Sequence, residues 1–258
     1  MNDASNDPAS PQILIPVTAE DVARHRRRFL TACWGAAAIV LVAAGLIYKR
    51  SVDPIHAQES YDAGVRLLKI ARYNQAILSF DRAVALRPDF ADAYMQRGRA
   101  FEGDGKTDRA IRDFTKVIEL RPSDPLALLR RGAAYLELKD FQSAIADSER
   151  AIQIDPKLAA AFNLRGMARR TMGDPRKALD DFNRAVALAP NGDNYYQRGA
   201  TYQLLGDDRS AIADFDRVIE FKPDGAPGYF ARAESRRAIG DVQGAKADHL
   251  RGRILDGR

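Results

Sequence analysis

Residues 91–124 read ADAYMQRGRAFEGDGKTDRAIRDFTKVIELRPSD, and the same order of residue types returns at an interval of 34 positions. Three landmarks carry the recurrence: a glycine (Gly98, Gly132, Gly166), an alanine (Ala110, Ala144, Ala178) and a closing proline (Pro122, Pro156, Pro190). Self-similarity at a fixed period of this length is typical of a chain built from stacked copies of one small structural unit.

The landmarks extend in both directions and divide the second part of the chain into six units. One interval is a residue short, near Asn191 and Gly192, where a loop tolerates a deletion. The units are 57–90, 91–124, 125–158, 159–191, 192–225 and 226–258.

Aromatic residues occupy two further positions of most units, four residues before the glycine and four after the alanine. They are Tyr94, Phe162, Tyr195 and Tyr229 at the first position, and Phe80, Phe114, Phe182 and Phe215 at the second. With these landmarks the chain resembles the tetratricopeptide repeat (TPR) family from residue 57 onward. The resemblance implies an all-α fold, a right-handed superhelical solenoid of about six helix-turn-helix units. It also implies a concave face lined by the first helix of each unit.

Local signals agree with paired helices. Asp140, Asp174 and Asp207 stand where the second helix of a unit would begin, and a carboxylate there can accept from free backbone amides. Pro175 suits a first helical position, and the closing prolines prevent the second helix from continuing. One helix pair cannot bury its own apolar face, so we expect the stacked array to supply the stability.

One charged pattern recurs beside the landmarks. Units two to six carry an arginine before the glycine and an aspartate sixteen positions later, whereas unit one has neither. The pairs are Arg97 and Asp113, Arg131 and Asp147, Arg165 and Asp181, Arg198 and Asp214, and Arg232 and Asp248. Because the two residues occur together or not at all, we predict an ion pair that joins the two helices of each unit. The alternative is a set of independent surface charges.

The first 56 residues differ in composition. Residues 1–28 are predicted to form a disordered polar and basic tail, residues 29–48 a transmembrane helix and residues 49–56 a linker in which Pro54 ends the helix. The segment from Phe29 to Tyr48 has no charge and is long enough to cross a ~30 Å hydrocarbon core. A cleaved signal peptide and a buried soluble helix are the alternatives.

The distribution of positive charge predicts an orientation. Arg24 and residues 26–28 outnumber Lys49 and Arg50 across the segment, which favours a cytoplasmic N-terminus and extracytoplasmic repeats, periplasmic in a bacterium. Ala32 and Ala36 have the small-xxx-small spacing that permits self-association of the anchor.

No catalytic constellation is found in the sequence. The segment Gly105-Lys106-Thr107 lacks the earlier glycine of a phosphate-binding loop, and no HExxH or CxxC motif occurs. Basic residues alternate with acidic ones, which argues against nucleic-acid binding. We therefore predict a protein that is not an enzyme and needs no cofactor or metal.

The resemblance places a protein-binding groove on the first helices. Its predicted side chains are Tyr61, Met95, Arg99, Glu102, Asn163, Met167, Arg170, Tyr196, Gln203, Phe230 and Arg237. Aromatic, methionine and charged groups in one row suit an extended peptide or a partner helix. The predicted function is a membrane-anchored scaffold with a protein or peptide partner. The alternatives are a subunit of an envelope assembly (secretion, polysaccharide export or division) and a secreted adaptor released by signal cleavage.

Overall fold

The computed structural model describes residues 53–257, together with Glu20 and Arg24, and the longer range consists of helices joined by short turns. The first helix of this range, α1, covers residues 53–69. The other helices are α2 (Tyr73–Leu86), α3 (Ala91–Gly103), α4 (Thr107–Leu120), α5 (Pro125–Glu137), α6 (Phe141–Ile154), α7 (Ala159–Thr171), α8 (Pro175–Leu188), α9 (Gly192–Leu204), α10 (Asp208–Phe221), α11 (Ala226–Ala238) and α12 (Val242–Asp256).

The helices stack in chain order. Each odd-numbered helix from α3 onward packs against the even-numbered helix that follows it, and each even-numbered helix from α2 onward packs against the first helix of the next unit. First helices also contact first helices, α5 with α7, α7 with α9 and α9 with α11. This all-α repeat arrangement is the one that the sequence predicts.

Phenylalanines of the second helices fill the space between the two helices of a unit. Phe80, Phe114, Phe182 and Phe215 are all 0% exposed. Unit three differs, because its equivalent residue is the small, buried Ser148. The rings give units one, two, four and five one large apolar anchor each, which is why the aromatic period is visible in the sequence.

The predicted helix starts are confirmed at three aspartates. The side chains of Asp140, Asp174 and Asp207 each accept a hydrogen bond from the backbone N–H three residues later. Pro175 occupies the first turn of α8, where no intrahelical N–H is lost. These contacts satisfy donors that a helix start would otherwise leave unpaired.

A residue with positive φ closes the turn between the two helices of a unit. Glycines take this place at residues 105, 173, 206 and 240, but Ala71 and Lys139 take it in units one and three, with φ of 55° and 61°. Left-handed backbone strains a residue that carries a Cβ. The sequence gives no sign of this strain, because neither residue type marks a turn.

Replacing Lys139 with glycine is expected to stabilise the protein. Relief of left-handed strain is worth about 1–2 kcal/mol, partly offset by the greater backbone entropy of glycine in the unfolded chain. Gly105→Ala is the matched reverse change, since φ there is +69° and an added Cβ would meet open space. Urea denaturation should show a gain for Lys139→Gly and a loss for Gly105→Ala, and changes of the same sign would contradict the account.

The predicted arginine–aspartate pairs form in all five units. Each guanidinium donates to both carboxylate oxygens within its unit, with Nη2 to Oδ1 distances of 2.6–2.7 Å. The five aspartates are only 3–6% exposed. Hydrogen bonding to Asp147 raises the pKa of Arg131, so this guanidinium stays charged. In units two to six, the pairs therefore join the first helix to the second.

The same arginines also reach the preceding unit. The Nη1 atom of Arg97 lies 2.7 Å from Asp81 Oδ1, and that of Arg131 lies 3.1 Å from Thr115 Oγ1. The equivalent contacts in later units are Arg165 to Glu149, Arg198 to Asn183 and Arg232 to Asp216. The arginines thus form a ladder that joins neighbouring units, which the sequence analysis did not foresee.

Two features at the ends of the array differ from simple expectation. Residues 53–56, assigned to the linker, already belong to α1, so Pro54 lies inside a described helix. The last described helix, α12, exposes apolar residues rather than a wholly polar face. Its exposed residues are Val242, Leu250 and Ile254, which are 51%, 61% and 46% exposed.

The predicted anchor, residues 29–48, lies outside the described residues. Among the helices that the structure does describe, none has both the length and the apolar character required to cross a bilayer.

Candidate functional site

All eleven predicted groove residues belong to first helices, namely α1, α3, α7, α9 and α11. The face of the first helices that carries these eleven residues is the groove. Arg99 and Arg237 are exposed, whereas the other nine are half-buried between neighbouring units. The groove is therefore a surface whose side chains also take part in stacking the array.

Three clefts lie along this face. The first, of about 400 Å³, lies between α3 and α5 and is lined by Met95, Arg99 and Leu129. The second, of about 620 Å³, extends from α5 across α7 to α9 and includes Asn163 and Met167. The third, of about 210 Å³, lies where α9 meets the start of α11 and includes Tyr196 and Pro227.

The apolar members of the groove pack against the core with part of their surface. Tyr61 lies with its ring centroid 4.9 Å from that of Phe90, and Tyr196 lies 5.8 Å from Phe215. Met95 contacts two of the buried clusters, and Phe230 packs edge-on against His249 at 5.4 Å. These residues form the apolar floor of the groove.

Asn163 belongs to a polar network between units four and five. Its Nδ2 donates to Asn194 Oδ1 at 2.6 Å, and Asn194 Nδ2 donates to the backbone oxygens of Ala189 and Ala185 at 2.8 and 3.4 Å. Asn194 is buried at the start of α9. The network fixes the side chain of Asn163 at the edge of the second cleft.

Arg170 lies one helical turn beyond Met167 and also reaches unit five. Its Nη1 donates to the backbone oxygen of Gln197 at 3.0 Å and to Thr201 Oγ1 at 3.3 Å, and its Nη2 donates to Gln197 Oε1 at 2.6 Å. Burial lowers the pKa of Arg170. Its recorded partners are all neutral groups.

Three further polar residues of the groove lie in three separate places. Gln203 Nε2 donates to the backbone oxygen of Ala231 and to Ser235 Oγ, at 3.0 and 2.8 Å, and so joins α9 to α11. Glu102 lies 3.5 Å from Arg130, and burial raises the pKa of its carboxyl group. Arg237 is separate from the three clefts and lines a fourth, between α11 and α12.

Several residues of this face were not predicted from the sequence. Asn194, Gln197 and Thr201 hold the polar network in place, and Leu126, which is 56% exposed, lines the first cleft with Arg130. Leu126 could have been found from helical spacing, because it lies one turn before Leu129 and Arg130, which line the same cleft. The partners of Asn163 and Arg170 could not, since the offset between neighbouring first helices is set by packing.

The described side chains supply hydrogen bonds, charge and apolar surface. Within residues 53–257, no three histidine, cysteine or acidic side chains are grouped closely enough to hold a metal ion. The arrangement is suited to holding another chain by contact along a row of first helices.

Stacked helix pairs with clefts along one row of helices define an α-helical repeat protein with a protein-interaction scaffold fold. Family models described as Tetratricopeptide repeat match residues 61–111 and 95–159, residues 132–194 and residues 192–224. Together these matches extend over well more than half of the chain. The chain therefore belongs to the tetratricopeptide repeat family.

Solved structures give the same fold. MamA is 25% identical over 62% of this chain and 94% of its own, with a TM-score of 0.57. PilW, described as a widely conserved type IV pilus biogenesis factor, is 18% identical over 74% and 90% of the two chains, with a TM-score of 0.69.

PilF of Pseudomonas aeruginosa is 17% identical over 80% of this chain and 95% of its own, also with a TM-score of 0.69. At these identities, PilW and PilF support the fold alone. No curated protein matches the sequence.

Proposed function

We propose that the protein is a membrane-anchored scaffold that holds a peptide or a partner helix in its groove and performs no chemical step. The observation that carries this proposal is the row of three clefts between consecutive first helices, each lined by both apolar and polar residues. Tetratricopeptide repeat proteins are generally non-enzymatic scaffolds, which agrees with this function.

A photocrosslinking residue placed in the groove tests the proposal. Met167 is half-buried and lines the second cleft, so a benzophenone side chain there would face a bound segment. Arg209 is the control position, because it is exposed on the second helix of unit five. We expect a crosslinked partner from position 167 of the full-length protein in its native cells, and none from position 209.

A groove variant provides the second measurement. Asn163 and Arg170 also join units four and five, so alanine at either position would weaken the array as well as the groove. Met167→Glu instead places a charge on the apolar floor. It should abolish recovery of the partner while the helical circular dichroism signal stays unchanged. Retention of the partner by a folded Met167→Glu protein would contradict groove binding.

An envelope-assembly subunit is the second candidate, because α12 exposes an apolar face. Val242, Leu250 and Ile254 are all on this helix and substantially exposed, as expected of a surface that another subunit covers. A crosslinker at position 250 would then capture a partner, and it would still capture that partner when the protein also carries Met167→Glu. This result would favour assembly through the end of the array over peptide binding in the groove.

We further propose that residues 29–48 anchor the protein, with its N-terminus in the cytoplasm and its repeats outside. Charge-free apolar composition over the length of a bilayer core supports this topology. The full-length chain should stay with membranes after alkaline carbonate extraction, and a chain lacking residues 29–48 should not. Protease added outside spheroplasts should degrade the repeats. A mature N-terminus beyond residue 40, measured by mass spectrometry, would instead favour the secreted adaptor.

A further inference from the structure

Arg170 differs from every other half-buried arginine on the first helices. Arg97, Arg131, Arg165, Arg198 and Arg232 each hold an aspartate, and Arg169 and Arg236 hold Asp181 and Asp248 at 2.9 and 2.8 Å. Within residues 53–257, Arg170 has no carboxylate at salt-bridge distance. Its positive charge is thus partly removed from water without a counter-ion.

The position of the guanidinium is nevertheless fixed. Gln197 and Thr201 accept its hydrogen bonds from α9, and the ring of Phe182 lies 5.4 Å from its central carbon. A guanidinium has five N–H donors, and three hydrogen bonds are recorded. The Nε–H and one Nη2–H therefore have no recorded acceptor among the described residues, and the half-buried side chain is held in place on α7.

Asn163 offers the complementary group. The backbone oxygens of Ala185 and Ala189 can only accept, so Asn194 must direct its NH₂ group toward them and its Oδ1 toward Asn163. Asn163 must then donate with Nδ2, at 2.6 Å. Its own Oδ1 is left as an acceptor without a recorded partner among the described residues, at the edge of the 620 Å³ cleft.

The spacing of these groups defines the ligand. Asn163 and Arg170 are seven residues apart on α7, or about 10.5 Å along the helix axis, and Met167 lies between them. Extended chain advances about 3.3 Å per residue, so three residues cover this distance. A bound segment of this length could place an N–H donor at Asn163, an apolar side chain on Met167 and a carboxylate at Arg170.

We propose that units four and five bind an extended partner segment in which an internal aspartate or glutamate pairs with Arg170. This inference rests on the proposed function. An apolar side chain of the same segment packs on Met167, and a backbone N–H about three residues from the acid donates to Asn163. The carboxylate supplies the counter-ion that none of the described residues 53–257 provides. Because the donors are already positioned, the acid contributes both affinity and a fixed register.

Selection from a random peptide library displayed on phage tests this inference. The targets are the full-length protein in detergent, Arg170→Gln, and Arg209→Gln as the exposed control. We expect wild type and Arg209→Gln to enrich peptides with an acid at a fixed distance from an apolar residue, and Arg170→Gln to lose the acid from that register. Enrichment of the same acid by Arg170→Gln would overturn the proposal.

A double-mutant cycle with the selected peptide gives the magnitude. Both peptide ends are blocked, and the acid is replaced by its amide. On wild type the amide peptide should bind about tenfold more weakly or worse, as expected when a hydrogen-bonded charge pair is lost, and on Arg170→Gln the two peptides should bind equally. The comparison of the acid and amide peptides on the wild-type protein remains valid even if Arg170→Gln folds poorly. An equal loss on both proteins contradicts the proposed pair.

The same experiment distinguishes failure of the proposed acid site at Arg170 from failure of peptide binding in the groove. Peptides that lose binding on Met167→Glu but carry no acid would overturn the role of Arg170 and leave groove binding in place. If binding required a free peptide C-terminus and not the internal acid, the anion would be a chain terminus, and the proposal would be wrong. If no peptide were enriched, or Met167→Glu bound them unchanged, the proposed function itself would fail.

Discussion

Arg131→Leu is expected to lower the free energy of unfolding by about 3–5 kcal/mol, the cost of breaking a buried ion pair by removing one partner. Both oxygens of Asp147 accept from Arg131, at 2.8 and 2.7 Å, and Asp147 is 6% exposed. The variant therefore leaves a buried carboxylate without its cation. Asp147→Leu should cost a similar amount, and the double variant clearly less than the sum. Urea denaturation of the four proteins measures this coupling.

Arg165→Leu is the internal control for this cycle. Asp181 also accepts from Arg169 Nη1 at 2.9 Å, so loss of Arg165 leaves the carboxylate with a second cation. We expect a smaller loss than for Arg131→Leu, and Arg165→Leu combined with Arg169→Leu should restore the full cost. Equal losses at Arg131 and Arg165, or strictly additive losses of Arg131 and Asp147, would show that the pairs are independent surface charges.

Gly98→Ala should also destabilise the protein strongly, although alanine is the better helix former. A Cβ at residue 98 would lie 2.5 Å from Cε1 of Phe114, and this ring is 0% exposed. Overpacking a close contact costs about 1–3 kcal/mol or more, whereas the helix propensity of alanine returns only about 1 kcal/mol. We expect a net loss of up to about 2 kcal/mol, read from the urea midpoint at an unchanged m-value.

Gly132→Ala is the matched comparison. Ser148 replaces the ring in unit three, and the nearest atom to an added Cβ is Cδ2 of Leu164, at 2.9 Å, which is a terminal methyl group rather than part of a ring. The neighbour can move aside, so the loss should be much smaller than at Gly98. A loss at Gly132 as large as that at Gly98 would contradict the explanation by ring contact and favour a general requirement for glycine.

The repeat period made much of the fold predictable. A position that recurs in every unit has the same environment each time, so the helix starts at Asp140, Asp174 and Asp207 and the arginine–aspartate pairs could be predicted from residue types alone. The second contact of each arginine was missed. Its acceptors, from Asp81 to Asp216, vary in residue type and share only the ability to accept a hydrogen bond.

The groove was predictable in position but not in detail. Helical spacing places Asn163, Met167 and Arg170 on one face of α7. Which of their atoms form hydrogen bonds depends on the offset between α7 and α9. This offset is set by packing and cannot be read from the repeat period. The strained turn at Lys139 was hidden for a related reason, because its φ of 61° is imposed by the helices on either side.

Dependence of each unit on its neighbours is the central claim, since the buried clusters and the arginine ladder both cross unit boundaries. The most direct measurement compares far-UV circular dichroism and thermal melting of residues 57–258 with those of residues 91–124 alone. The six-unit chain should be strongly helical and melt cooperatively, whereas the single unit should show little helix, because short helices without packing partners are marginal in water. A helical, cooperatively melting single unit would contradict the account.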